Sequence, residues 1–128
     1  MLTTGIRGKA EVKVVPENTA AAMGSGTLNV FATPALAALV EKACWQSVAG
    51  VLEPGSGTVG TRLVLDHSAP TPLGMTVRCE SVLTEVDGRK LVFTAELSDD
   101  AGLVGHALHE RFIIYNEKFQ AKADAKAK

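Results

Sequence analysis

Three polar side chains, Thr33, Glu41 and His67, stand where their types and surroundings could support acid-base or nucleophilic chemistry. Glu41 lies inside the apolar segment ALAALVEKACWQSVAGVL. A carboxylate among apolar residues is costly to bury, and desolvation makes it a stronger proton acceptor or nucleophile. The alternative is that Glu41 and Lys42 form a polar stripe at a helix edge, since exposed carboxylates are commoner than buried ones.

His67 closes the alternating run RLVLDH, directly before a proline-containing turn. The period of a strand places it on the same side as Leu63 and Leu65. A histidine at the end of a strand suits general acid-base work, although a hydrogen-bonded edge histidine is the alternative. His106 and His109 lie in the last strand-like segment, and the pattern gives neither of them a role.

Thr33 stands at a helix start, because Thr is a favoured N-cap and Pro34 is tolerated in the first turn. A cap alone explains this threonine, but its hydroxyl could also face a substrate where the helix dipole favours negative charge. Thr33 and Glu41 are eight residues apart, about 12 Å along a helix, so they do not touch. Gly60 offers a backbone amide with no side chain in the way, although turn geometry is the alternative.

The elements that must position these residues follow from periodicity and chain breakers. Alternation predicts a strand over residues 7–15, a loop over 16–26 and a buried helix over 33–52 that ends before Pro54. Four strands should follow as a meander, with Asp87-Gly88 as a hairpin turn. Their segments are VGTRLVLDH, MTVRCESVLTEV, RKLVFTAELSD and VGHALHERFIIYN. This order predicts an α+β fold in which about five antiparallel strands curl around one long central helix.

Length and charge limit the possible function classes. The 128 residues, 46% of them hydrophobic, suit one domain, which we place at residues 1–120, followed by a solvated or disordered tail at 121–128. With a net charge of −1, the chain has no excess of positive charge to neutralise phosphates, so we expect no nucleic-acid partner.

Cysteine usage and hydropathy indicate a compartment. Cys44 and Cys79 read as buried thiols, and neither belongs to a metal-ligand motif, so we expect no metal site. The N-terminus lacks the apolar core of a signal peptide, and no apolar run reaches the roughly 18 residues of a membrane span. These features predict a cytoplasmic protein that does not enter a membrane.

Several segments together resemble the thioesterase family that includes the fluoroacetyl-CoA thioesterase. The resemblance covers about residues 10–122, in order and at matching spacing. It is carried by GSGTLNVFATPALAALVEKAC, TVGTRLVLDHSAPTPLGMTV, VDGRKLVFTAEL and GHALHERFII. The resemblance implies a hot-dog fold and a homodimer with the active site at the subunit interface.

The resemblance also implies roles for individual residues. Thr33, Glu41 and His67 would be catalytic, while Gly60 and Arg111 would contact the substrate. Because Thr33 and Glu41 are too far apart on one helix to meet, a site built from both subunits of a dimer would bring them together. A tetramer is the alternative assembly.

The predicted function is hydrolysis of a small or medium acyl-CoA thioester to a carboxylate and free CoA. His67 would act as general acid and base, and Glu41 as base or as acyl-accepting nucleophile. Thr33 and the amide of Gly60 would hold the thioester carbonyl. Direct attack by water and an anhydride on Glu41 both remain open. We expect no cofactor, since CoA is part of the substrate.

One departure and two rival functions accompany this prediction. Thr27 stands where the resemblance leads us to expect a bulky aromatic lid residue, so an ordinary acyl group is favoured over strict fluoroacetyl selectivity. One rival is an acyl-CoA binding module without catalysis. The other is a hot-dog enoyl-CoA hydratase, which adjacent Asp66 and His67 disfavour because neighbours on a strand point to opposite faces.

Overall fold

The computed structural model describes residues 1–127, in which one antiparallel sheet packs against one long helix. The strands are β1 (Arg7–Lys13), β2 (Ser56–His67), β3 (Thr76–Asp87), β4 (Lys90–Asp99) and β5 (Gly102–Tyr115). The helices are α1 (Ala20–Met23), α2 (Thr33–Ala49) and α3 (Asn116–Asp124), with 3-10 turns at Pro16–Asn18 and Ala125–Ala127. The predicted combination of five strands and one long helix is therefore present.

The strand order in the sheet is β1-β3-β4-β5-β2. Strands β3, β4 and β5 form a meander, but the predicted four-strand meander is wrong at β2, which pairs with β5. The segment 68–75 carries the chain across to β3, and Thr71 in this segment is buried and donates its hydroxyl to Asp99 at 2.7 Å. Because β1 and β4 occupy both sides of β3, β2 is left as an edge strand.

Helix α2 buries one face against the sheet. Its buried residues are Leu36, Leu39, Val40, Ala43, Cys44 and Val48. Gly8 on β1 allows this close packing, because a Cβ there would overlap the backbone carbonyl of Ala43 and lie 2.6 Å from Ser81 Oγ. The opposite face of α2 is open, with Trp45 44% exposed. The prediction of a buried helix is therefore correct for one face of α2 and wrong for the opposite face in the single chain.

The helix boundaries differ from the predicted ones for local reasons. Ala32 is the N-cap residue of α2, and Thr33 is already helical, so Thr33 is not the cap. The helix ends at Ala49, because Gly50 follows and glycine is a poor helix former. The predicted loop at 16–26 contains a 3-10 turn and α1, where the Thr19 hydroxyl accepts a hydrogen bond from the amide of Ala22 at 3.3 Å.

Other elements follow the sequence pattern closely. Asp87 pairs with Lys90 across the predicted hairpin turn, in which Gly88 has φ of +61°. Helix α3 is exposed and runs through residue 120, so the tail boundary placed there stays a prediction, and Lys128 lies outside the described residues. Across residues 1–127, none of the helices combines the length and apolar character that crossing a membrane requires.

Candidate active site

Strands β2 and β5 turn one row of side chains toward α2. Residues opposite one another on antiparallel strands project to the same face. Gly60 is opposite Arg111, Leu63 is opposite His109, and both polar side chains are buried. Between these pairs, Thr61 forms a bulge. The bulge places Gly60 and Leu63 on the same face, although an unbroken alternation would put them on opposite ones.

His67, the last residue of β2, lies beside Thr33, the first residue of α2. Thr33 Oγ1 is 2.7 Å from His67 Nδ1. Thr33 is exposed and His67 is half-buried. Burial lowers the pKa of His67, with a backbone hydrogen bond to Ala69 acting in the opposite direction. His67 is therefore neutral at pH 7 and can accept a proton. We call these two residues the Thr33–His67 pair.

Glu41 reaches the sheet at Gly60. A Cβ built on Gly60 would lie 3.0 Å from Glu41 Oε2, 3.1 Å from His109 Cε1 and 3.3 Å from Arg111 Nη1. Three side chains thus converge where Gly60 carries none. Burial lowers the pKa of Arg111, and the negative charge of Glu41 opposes this shift. The two opposite charges therefore lie near one another at a partly desolvated point on the sheet.

Hydrogen bonds hold the Arg111 guanidinium on several sides. Its Nε donates to Thr58 Oγ1 at 2.7 Å, and its Nη2 donates to the Thr58 carbonyl at 2.8 Å. Its Nη1 lies 3.1 Å from His109 Nε2, and His109 Nδ1 lies 2.8 Å from the Arg62 carbonyl. Together with Glu41 and Gly60, the residues Thr58, His109 and Arg111 form what we call the Arg111 cluster.

Sequence reasoning found no role for two members of this cluster, Thr58 and His109. A usable signal existed for His109, because it stands two residues before Arg111 and so shares its face of the strand. Thr58 stands two residues before Gly60 in the same way. His106, by contrast, is exposed on the outer face, where it is opposite Asp66.

The two groups occupy different ends of β2 within one chain. Gly60 and His67 are seven residues apart, which is about 23 Å along an extended strand. The structure therefore places Thr33 beside His67 at one point of β2, and Glu41 beside Gly60 at another.

The remaining reactive side chains are less suited to catalysis or to metal binding. Burial raises the pKa of Cys44 and of Cys79 to about 12, so both thiols stay protonated and are poor nucleophiles. Among residues 1–127, His, Cys, Asp and Glu side chains form no group of three or more that could hold a metal ion. Asp66 is exposed on the face opposite to His67, which does not favour the hydratase alternative.

Comparison with known proteins places this geometry in a family. Residues 14–117 match the family model described as fluoroacetyl-CoA-specific thioesterase, FlK. The fluoroacetyl-CoA thioesterase of Streptantibioticus cattleyicolor is 41% identical over 97 residues, covering 76% of this chain and 70% of the relative. A threonine-to-serine variant of FlK solved with acetyl-CoA superposes with a TM-score of 0.94 at 33% identity, covering 99% of this chain and 100% of that one.

A more distant structure supports the fold alone. A hot-dog-like protein from Thermanaerovibrio acidaminovorans superposes with a TM-score of 0.86 at 20% identity, covering 96% of this chain and 91% of that one. The five-stranded sheet with α2 packed on it is thus a hot-dog fold, and the protein is a thioester hydrolase of that fold. The chain belongs to the fluoroacetyl-CoA-specific thioesterase family. The fold, the family and the enzyme class predicted above are therefore confirmed.

Proposed function

We propose that this enzyme hydrolyses an acyl-CoA with a small or medium acyl group, giving the carboxylate and free CoA. The observation that carries the proposal is the 2.7 Å contact between Thr33 and His67. It places a neutral imidazole next to a hydroxyl in the first turn of α2, where the helix dipole stabilises negative charge on a carbonyl oxygen. Relatives named for fluoroacetyl-CoA and a structure with acetyl-CoA support a short acyl group.

The Thr33–His67 pair supplies proton transfer and carbonyl polarisation in this proposal. Nδ1–H of His67 donates to Thr33 Oγ1, and the threonine hydroxyl donates onward to the thioester carbonyl. Nε2 of His67 is then free to take a proton from the attacking water and to pass it to the leaving thiolate. The amide of Gly60 is the second donor to the carbonyl oxygen. Each group acts through its own atoms, so the proposal needs no cofactor.

Glu41 acts as base or as nucleophile. As a base, it takes the proton of the attacking water. As a nucleophile, its oxygen bonds to the thioester carbon, the C–S bond breaks, and the CoA thiolate leaves and takes a proton from solvent; His67 then takes a proton from the water that cleaves the anhydride. A burst of free CoA ahead of carboxylate release in the first turnover indicates the anhydride route, and simultaneous release indicates attack by water.

The proposed site is completed by a second copy of the chain. Strand β2 is an edge strand, and its outer backbone groups are available to another strand. A two-fold axis through Val64, perpendicular to the sheet, would pair β2 with its symmetry copy, and the Thr61 bulge would then bring Gly60 close to His67 of the partner subunit, on the face that carries α2. The Thr33–His67 pair of one subunit would then meet the Arg111 cluster of the other in a homodimer.

A mixed dimer tests both the chemistry and the assembly. We expect His67→Ala and Glu41→Ala homodimers to be inactive. A hybrid of the two, isolated through two different affinity tags, should regain about half of the wild-type activity per dimer, because one of its two sites keeps both halves intact. The control hybrid combines a Thr33→Ala subunit with a His67→Ala subunit. Each of its two sites then contains a damaged Thr33–His67 pair, so this hybrid should stay inactive.

Other outcomes would contradict this proposal. An inactive His67→Ala/Glu41→Ala hybrid would place all catalytic groups within one subunit. A monomeric mass by light scattering at micromolar concentration would remove the shared site. Failure of the wild-type protein to release CoA from a panel of short, branched and aromatic acyl-CoAs would favour a binding module instead.

The choice of acyl group and the compartment are also proposals. Thr27 lies in an exposed loop before α2, and its small side chain supports an ordinary acyl group in place of strict fluoroacetyl selectivity. The two cysteines are free buried thiols, which supports a reducing compartment such as the cytoplasm. The net charge of −1 supports a small-molecule substrate and no nucleic-acid partner.

A further inference from the structure

The Arg111 cluster contains an imidazole that the proposed hydrolysis does not use. His109 is 1% exposed, yet both of its ring nitrogens have partners. Nδ1 is 2.8 Å from the carbonyl oxygen of Arg62, and Nε2 is 3.1 Å from Nη1 of Arg111. Two side chains that can both carry a positive charge are thus in direct contact in the interior.

The two partners of His109 determine its protonation state. A carbonyl oxygen only accepts hydrogen bonds, so Nδ1 carries the proton and donates to Arg62. A guanidinium only donates, so Nε2 must be unprotonated and accept from Arg111. The geometry therefore requires the neutral ring. A second proton would point an N–H group at Arg111 and place two positive charges side by side.

The groups that influence the charge of His109 lie on three elements: α2 carries Glu41, β2 carries Arg62, and β5 carries Glu110 and Arg111. Burial is the main cause that lowers the pKa of His109, and the positive charge of Arg111 lowers it further. The hydrogen bond to the Arg62 carbonyl and the carboxylates of Glu41 and Glu110 act in the opposite direction. The net effect is a lowered pKa, which agrees with the neutral ring that the hydrogen bonds require.

We propose that His109 is a positioning residue whose neutral ring holds Arg111 against Glu41 and Gly60, and whose protonation releases Arg111 and disables the site. Thr58 holds Nε and Nη2 of Arg111, while His109 holds Nη1, the nitrogen that lies beside the empty Cβ position of Gly60. The inference rests on the proposed part of Glu41 in hydrolysis.

Two substitutions at His109 separate hydrogen bonding from titration. His109→Gln keeps an acceptor near the position of Nε2 but cannot gain a proton in the accessible pH range. At pH 8 its kcat should stay within about threefold of wild type. His109→Phe keeps a ring but offers no acceptor, so kcat should fall roughly 10- to 100-fold with KM little changed, the size expected for losing a hydrogen bond to a charged group.

The acid limb of the pH profile gives a result that a purely structural role would not. In the wild type, protonation of His67 and of His109 both stop the reaction, so each should add about one unit to the slope of log kcat/KM against pH at low pH. In His109→Gln the contribution of His109 is lost, and the slope should fall by about 1. A limb with the same slope in both proteins, or a His109→Phe enzyme with wild-type kcat, would overturn the proposal.

His106 provides matched controls, because it lies on the same strand but is exposed on the outer face. His106→Gln and His106→Phe should leave kcat and the slope unchanged. If His109→Phe does not fold, the slope in His109→Gln still decides the question.

Nitrogen NMR of the His109 side chain keeps this test separate from the proposed hydrolysis. The folded wild type should show a proton on Nδ1 and an acceptor Nε2 at pH 7. Its acid titration should coincide with the loss of the slowly exchanging Arg111 side-chain signals. A protonated His109 at pH 7, or an Arg111 that is unaffected by the titration, would overturn the proposal even if no acyl-CoA is hydrolysed.

Discussion

The Thr33–His67 pair and the Arg111 cluster lie at the two ends of strand β2 and differ in how far they are exposed to solvent. The pair consists of terminal residues, the first of α2 and the last of β2, and it is joined by one hydrogen bond with Thr33 exposed. The cluster is built inside strands, with His109 and Arg111 buried. A group that exchanges protons benefits from access to solvent, whereas a buried charge needs fixed partners.

This difference has an energetic side. Removing the partner of a buried charge leaves that charge unsatisfied, so damage to the Arg111 cluster should lower stability as well as activity. The Thr33–His67 pair is partly solvated, so water can replace a lost partner there. We therefore expect substitutions in the pair to reduce turnover with little change in Tm.

The largest expected effect is at Glu41. Glu41→Ala should lower kcat by roughly 10²- to 10⁴-fold, the range for losing a positioned base, with KM within a few fold. Tm should also fall, because Arg111 loses its countercharge. Glu41→Gln should be nearly as inactive, since an amide is neither base nor nucleophile. Lys42→Ala is the control, because Lys42 is the exposed neighbour of Glu41. Near-wild-type turnover of Glu41→Ala would mean that Glu41 is only part of a polar stripe at the helix edge.

A large effect is also expected at His67, without the loss of stability. His67→Ala should reduce kcat/KM about 100-fold or more and remove its share of the acid limb. Because burial lowers the pKa of His67, the wild-type inflection from this residue should lie below the reference value of about 6.5. Sequence alone would place it in the range of roughly 6 to 7.5. An unchanged rate and limb in His67→Ala would show that another group titrates.

A smaller effect should follow from adding one methyl group at Gly60. The new Cβ of Gly60→Ala would lie 3.0 Å from Glu41 Oε2 and 3.1 Å from His109 Cε1. One of these side chains must move, and kcat should fall about tenfold, as small displacements of positioned groups do. Gly50→Ala is the matched control, because no atom lies within 4 Å of its Cβ position. Equal kinetics of the two variants would mean that the Arg111 cluster is not tightly packed.

The smallest effect concerns stability against pH. Burial lowers the pKa values of His67 and His109, so the unfolded chain binds protons that the folded chain excludes. The free energy of unfolding should therefore be full above about pH 6.5 and decrease as the pH falls below it. Urea denaturation at pH 7.5 and pH 5 measures this loss. His109→Gln should reduce this acid-induced loss of stability more than His67→Gln does, because His109 is the more buried of the two. The reverse order would contradict this explanation.

The sequence predicted the elements better than their arrangement. Alternation located the strands that carry His67 and Arg111, and the breakers located α2 and the Asp87-Gly88 hairpin. The place of β2 next to β5 was missed, because consecutive strands usually pair and nothing local signals the exchange. It depends on β1 occupying one side of β3, a contact between residues far apart in sequence.

The candidate site shows the same division. The alternation of Leu63, Leu65 and His67 was sufficient to place His67 on the helix side. Gly60 lies on that side only because Thr61 forms a bulge, which alternation does not reveal. His109 was overlooked because a histidine among apolar residues has no assigned function until its neighbour Arg111 is known to be buried. Residue types thus indicated candidates, while tertiary contacts grouped them.

Gly8 sets the height of the central helix above the sheet. Because it has no side chain, the backbone of α2 rests directly on β1 at Ala43, only two residues from Glu41. A larger residue at this position would push α2 away from β1. The helix would tilt, and the Glu41 carboxylate would move away from Gly60. Attempts to change the acyl preference of this enzyme should therefore vary the exposed residue Thr27 and keep Gly8, where a side chain would overlap Ala43.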